Sequence, residues 1–216
     1  MKIKKFIAAF LLVSLFLSSC VSYIDLRKMD LVTKNSSGTI LNLKYAGDAD
    51  EILSVTAEKM IEKGFLDAQS EEFGYYDVRF EATTWSYTPL TVFLAYVPAF
   101  IPLFLLGIPT AGSQFTLVAH LYIFDSNGNI VKHYSNTNGY KQAINLYMNG
   151  SGATKKGARE FSKLFDIILD EAAGDSTAIN AALQEAGSIS ANNNLTEVQA
   201  NIDRFFLENP YAQNSK

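Results

Sequence analysis

Two histidines, one cysteine and a scatter of acids are the residues in this 216-residue chain whose types could carry chemistry. His120 and His133 straddle Asn127-Gly128. If that pair turns a hairpin, Tyr122 faces His133 and His120 faces Ser135, which sets both imidazoles diagonally on one sheet face. Imidazoles so placed are raw material for a transition-metal site, but no further thiol or carboxylate is spaced to complete the ligand set, so satisfied or solvated histidines are expected. Gly150-Ser151-Gly152-Ala153-Thr154-Lys155 stands before a helical pattern, as a phosphate loop would. It lacks the GxxxxGK spacing that brings backbone amides and a lysine onto the phosphates, and it reads as a tight connection followed by a solvated Lys155, Lys156 and Arg159. Asp77, Glu81, Asp125 and Asp166 have no spacing that pairs them for glycoside chemistry. With no GxSxG elbow, HExxH or CxxC in addition, no catalytic residue, metal or cofactor is assigned, and the chain is read as a non-enzyme.

The cysteine belongs to a different context. Lys2, Lys4 and Lys5 precede an apolar run from Phe6 to Leu17, the order of a secretory signal, and the run is shorter than the roughly 20 residues of a membrane-crossing helix. Leu17-Ser18-Ser19-Cys20 resembles the lipobox of bacterial lipoproteins. That resemblance implies removal of residues 1–19 as a signal peptide, alkylation of the Cys20 thiol by diacylglycerol, and acylation of the new amine by a fatty acid such as palmitate. Cys20 is the lone cysteine, so no intramolecular disulfide competes for it. Several acyl chains, at roughly 0.8 kcal/mol per buried CH₂, would anchor the protein durably where one would not. Val21 stands where an Asp often retains such proteins at the inner membrane, so the periplasmic face of the outer membrane is the expected location in the cell envelope.

The elements that must carry these residues follow from periodicity. Residues 20–38 read as a lipidated tether and 39–173 as an α+β domain. Within it, Thr39 to Tyr45 alternates as a strand. A helix follows, capped by Asp48 with Glu51, carrying Leu53, Ala57, Met60 and Ile61 on one face and stopped by Gly64. Tyr76, Val78, Phe80 and Ala82 alternate with Asp77, Arg79, Glu81 and Thr83 in a strand, reaching Tyr87, whose polar face is expected to see water. Phe115 to Asp125 and Ile130 to Thr137 form a hairpin with a type I′ turn at Asn127-Gly128. Gln142 to Tyr147 is a further strand, before a long helix with Ala158, Phe161, Phe165, Ile168 and Ala172 on its stripe, widened by Leu164 and Leu169. Residues 174–216 read as a C-terminal helical extension. It has one helix at Ser176 to Glu185, a break at Asn192 to Asn194, and a last helix capped by Thr196 with Gln199. In that helix Leu195 staples onto Ala200, Val198, Ile202, Phe205 and Phe206 share a face, and Asn209-Pro210 is the stop.

The sum is a small antiparallel sheet with helices packed on one face. In element order, residues 39 to 173 resemble the N-terminal domain of TolB and the auxiliary lipoproteins of envelope transporters, a likeness that transfers no site residue. Loss of three lysines and no acid with the signal takes the formal charge from −4 to −7, so nucleic acid is an unsuitable partner.

One segment fits none of these elements. No charged residue lies between Glu81 and Asp125, and residues 88–112 include Leu90, Val92, Phe93, Leu94, Val97, Phe100, Ile101, Leu103, Phe104, Leu105, Leu106 and Ile108. Pro89, Pro98, Pro102 and Pro109 break it, which argues against a straight span. A single crossing would also put the flanking strands on opposite sides of a bilayer. A bent excursion that touches the membrane or a membrane partner is therefore expected, with Trp85, Tyr87 and Tyr96 at headgroup depth, against core filling or a true span. The functional expectation is a membrane-anchored, non-catalytic lipoprotein that assists another envelope component. The alternative is a module that binds a lipid or other hydrophobic ligand.

Overall fold

The computed structural model describes residues 38–47, 51–67, 71–87, 111–144, 150–191 and 195–209. The signal, Cys20 and its tether, the apolar residues 88–110, the Asp48 cap and the break at 192–194 all lie outside them. The elements run β1 (Leu43–Tyr45), α1 (Glu51–Glu62), β2 (Gly74–Tyr87), β3 (Ala111–Asp125), β4 (Ile130–Ile144), α2 (Gly150–Gly174), α3 (Ser176–Ala186) and α4 (Leu195–Glu208). The class is α+β, and the four strands lie in the order β1-β2-β3-β4. β2, β3 and β4 are antiparallel, as expected, whereas β1 runs parallel to β2 through Leu43↔Gly74 and Tyr45↔Tyr76, making the sheet mixed. The α1 crossover explains this, since a helix between neighbouring strands returns the chain in its original direction.

Period-2 alternation divides the sheet into two faces. Tyr76, Val78, Phe115, Leu117, Ala119, Leu121, Ile123, Tyr134 and Tyr140 point to one face and join the α2 stripe in the main core. Ala158, Phe161, Leu164, Phe165, Ile168, Leu169 and Ala172 are all buried, as their spacing requires. At roughly 1.5 to 3 kcal/mol per large side chain, the five large residues of this stripe contribute on the order of 10 kcal/mol, which is what holds α2 to the sheet. Phe80 meets Phe161 and Phe165 edge-on, at centroid separations of 5.0 and 5.6 Å. Ile179 and Leu183 of α3 lie in this same core, so the chain after Gly174 continues the fold.

Several local expectations need correction. In α1, Met60 is buried and Ala57 packs against the core as expected, but Thr56 is buried while Ile61 is 40% exposed. It does end at Gly64, whose φ of 73° lets the Phe65 N–H reach the Met60 carbonyl at 2.9 Å. Ile40 is not part of β1. It forms a separate parallel bridge to Leu66, because the chain passes from the end of α1 to the sheet between these two contacts. The strand expected at Gln142 is the end of β4. α2 starts at Gly150, so the glycine turn is helical; its glycines, at about 1 kcal/mol each relative to alanine, are outweighed by the stripe that follows. Thr196 lies inside α4 and Leu195 is 61% exposed, so neither cap nor staple forms there.

The β3–β4 turn is also not type I′. The Gly128 N–H bonds the Asp125 carbonyl at 3.1 Å and Gly128 follows the corner residues with φ 80°. Asp125 selects this geometry, because its Oδ1 accepts the N–H groups of Asn127 at 2.8 Å and Asn129 at 2.9 Å. The extra residue is absorbed by a register shift between Ile123 and Phe124.

Candidate functional site

The second sheet face carries the polar residues of β2, and α4 roofs its hairpin end, so Asp77 is buried there while Thr83 further along is exposed as expected. Tyr75, Tyr122 and Phe124 pack there with Val198, Ile202 and Phe206 of α4 in a second cluster. The two adjacent phenylalanines find their cover within the chain: Phe206 lies edge-on to Tyr122 at 5.1 Å and Phe205 to Phe124 at 5.6 Å. Asn201 fastens the helix to the β3–β4 turn, its Nδ2 donating to the Asn127 carbonyl at 3.0 Å.

Under and beside this roof, β2 supplies Asp77, Arg79 and Glu81, β3 supplies His120 and Tyr122, and β4 supplies His133. The register is the expected one: Tyr122 pairs with His133 and His120 with Ser135. The Tyr122 and His133 rings are stacked, 4.3 Å apart and tilted by 3°. His120 Nδ1 and His133 Nε2 are 3.1 Å apart, a hydrogen bond between imidazoles. On its other side His120 Nε2 is 3.7 Å from Glu81 Oε1, an atom buried with no hydrogen-bond partner among the described residues. A carboxylate at that position favours the proton on His120 Nε2, which leaves His120 Nδ1 to accept from His133 Nε2–H. The chain of contacts thus runs from half-buried Glu81 through His120 to solvent-exposed His133.

Arg79 completes the site. Its Nε donates to Asp77 Oδ2 at 2.8 Å, and its guanidinium carbon lies 3.4 Å from the Phe206 ring centroid, a cation–π contact that ties β2 to α4. Burial raises the Asp77 carboxyl above its ordinary value, against the opposing pull of Arg79. Burial first, and then the nearby guanidinium, holds His120 below the usual imidazole value. Burial and then His120 do the same for His133. Tyr122 is pushed up to about 12, chiefly by burial, and stays a neutral phenol.

What the geometry shows is two imidazoles facing each other across one hydrogen bond. Among the described residues no three His, Cys, Asp or Glu side chains are grouped to hold an ion. A groove of about 450 Å³ opens beside Asp125, Ile130, Ala182 and Glu185, away from the histidines. The Asp125 carboxylate there is engaged by Asn127 and Asn129.

The sequence placed the histidines on one face but missed what surrounds them. Two signals bore on this: Asp77, Arg79 and Glu81 at a spacing of two on one strand, and a helix ending in Phe205-Phe206 with no assigned cover. The lipidation residue Cys20 and the membrane-contact residues Leu90 to Ile108 lie outside the described residues. β2 and β3 nevertheless define where that segment begins and ends, because Tyr87 is the register partner of Gly112. Among the described residues no helix is long and apolar enough to cross a membrane.

No protein-family model and no curated protein matches the chain. Among solved structures, a minor lipoprotein from Acinetobacter baumannii is similar at 16% identity and a TM-score of 0.27, over 71% of this chain and 95% of that one. A likeness that distant transfers neither fold nor role.

Proposed function

We propose that this protein is a cell-envelope lipoprotein, held at the outer membrane through Cys20, whose α+β domain assists another envelope component without catalysing a reaction. The observation that carries the reading is the sequence Leu17-Ser18-Ser19-Cys20 behind a positively charged, apolar leader. A further support is the pairing of Tyr87 with Gly112, which returns both ends of the apolar excursion to one end of the sheet. That geometry suits a segment dipping into a bilayer, or docking on a membrane partner through Phe93, Phe100 and Phe104, from the side the lipid already occupies. The excursion and the acyl chains then act additively, since each large apolar side chain removed from water adds roughly 1.5 to 3 kcal/mol.

Mass spectrometry of the protein from native membranes tests the anchor. The expected N-terminal peptide begins at Cys20 and carries diacylglycerol, and Cys20→Ser releases the protein to the soluble fraction. An intact leader or an unmodified thiol overturns the reading. Co-purification in mild detergent with and without residues 90–108 tests the assisting role: a partner lost with the segment supports it, and a partner-free monomer in both preparations sinks it.

A further inference from the structure

The histidine pair has a property that the anchoring function does not use. His120 Nδ1 and His133 Nε2 face each other at 3.1 Å, so the space between them holds one proton. The neutral pair fills it with one N–H. A first added proton enters at His133 Nδ1, on the exposed ring, and leaves the bridge intact. A second would put an N–H on both facing nitrogens, and the bridge must break.

We propose that this pair makes the seating of α4 sensitive to pH, with α4 fully docked when the imidazoles share one proton and loosened when acid forces them apart. The coupling runs through two contacts. His133 lies flat on Tyr122, and Tyr122 is the ring against which both Phe205 and Phe206 pack, at 5.8 and 5.1 Å. On the other side, an imidazolium at His120 stands near the Arg79 guanidinium, whose contact with Phe206 ties sheet to helix. A displaced His133 thus moves the floor of the α4 site, and a cationic His120 repels the residue that grips the helix.

The other charges facing the pair are few. β2 presents Asp77, bound to Arg79, and Glu81, which an imidazolium at His120 would attract. β3 presents the neutral Tyr122 phenol, and β4 places uncharged Ser135 opposite His120. On α4 the buried residues are the apolar Val198, Ile202 and Phe206, and Glu197, Asp203, Arg204 and Glu208 are exposed. Glu81 lies beside His120 and so offsets part of the Arg79 repulsion once the second proton makes that ring cationic, but it does not restore the broken bridge.

The direction is fixed by linkage. Both imidazoles are held below 6.5 by burial in the folded protein. Their contribution to stability is therefore present above the unfolded value of about 6.5 and is lost as pH falls through the folded values.

The test follows the full chain in detergent micelles. NMR titration of the imidazole C–H signals is expected to show the two histidines titrating in separate steps, both below pH about 6.5. Hydrogen exchange of the α4 amides, corrected for the intrinsic effect of pH, is expected to rise at least about tenfold between pH about 7.5 and 5 while the α2 amides change little. His133→Gln, which keeps a side-chain hydrogen bond but cannot titrate, is expected to abolish that rise. α4 protection that stays constant while wild-type histidines titrate overturns the proposal without reference to any variant. So does a rise that persists in His133→Gln, which would assign it to groups outside the pair.

Discussion

Gly128 is constrained from two directions. Its φ of 80° is a conformation that side chains with a Cβ rarely adopt, and a Cβ there would stand 2.6 Å from the Val198 carbonyl and 3.2 Å from Asn201. Gly64 has a similar φ of 73° but nothing within 4 Å of an added Cβ. The two therefore separate backbone strain from lost docking. Gly64→Ala is expected to cost about 1 kcal/mol in urea unfolding, and Gly128→Ala at least about 1 kcal/mol more, because α4 must shift as well. Equal losses would show that α4 does not press on the turn. Asp77 yields a pH prediction of opposite sign to that of the histidines. Burial makes the folded protein prefer its proton, so its contribution is complete below the unfolded value of 3.8 and declines as pH rises through the folded one. Asp77→Asn cannot lose that proton and is expected to flatten this part of the stability profile; a profile with unchanged slope would show that another carboxyl governs it.

Among elements, β4 raises the question of how a 15-residue strand at the end of the sheet order avoids pairing with a second molecule. Its sequence supplies local blocks. The N–H of Thr137 is taken by Asn136 Oδ1 and that of Gly139 by Asn138 Oδ1, both at 2.8 Å, and Lys156 Nζ covers the Lys141 carbonyl at 3.1 Å. Replacing Asn136 and Asn138 together by valine removes both blocks and raises strand propensity. Concentration-dependent association should then appear in sedimentation velocity where the parent domain shows none; two indistinguishable profiles would mean the asparagines guard nothing. These elements also mark where sequence reasoning succeeds and fails. The α2 stripe was legible because seven apolar residues recur with helical period, and the hairpin register because Asn127-Gly128 left one sensible centre. The turn type was not legible from that dipeptide, because Asp125 two residues earlier controls the amides. Alternation in β2 correctly sorted Tyr76 and Val78 from Asp77 and Arg79, yet assigned the second set to water. Periodicity tells which residues share a face, whereas what covers the face depends on α4, more than a hundred residues away in the chain. The parallel placement of β1 was hidden for a related reason, since three residues carry too little pattern to specify a partner.

At the scale of the whole molecule, the described residues form two apolar clusters that do not include the excursion. α2 and α3 pack on one sheet face and α4 on the hairpin end of the other, where Tyr75, Asp77, Tyr122 and Phe124 are buried, whereas Thr83, Gln114 and Thr116 further along that face are exposed. The excursion leaves from Tyr87 and returns at Gly112, which are register partners, so a connection of two residues could join them. A soluble form beginning at Val21, with residues 88–111 replaced by Asn-Gly, is therefore expected to fold. Relative to the same form carrying the natural segment, it should keep its unfolding free energy within about 1 kcal/mol and lose its need for detergent. This outcome separates the two roles open to the segment. If the residues bind a membrane or a membrane partner, removing them leaves a stable, monodisperse domain that no longer associates with vesicles once the lipid is gone. If they fill the domain, the shortened protein unfolds at low denaturant or exposes surface to a hydrophobic dye, and the membrane-contact reading fails even though the anchor at Cys20 stands.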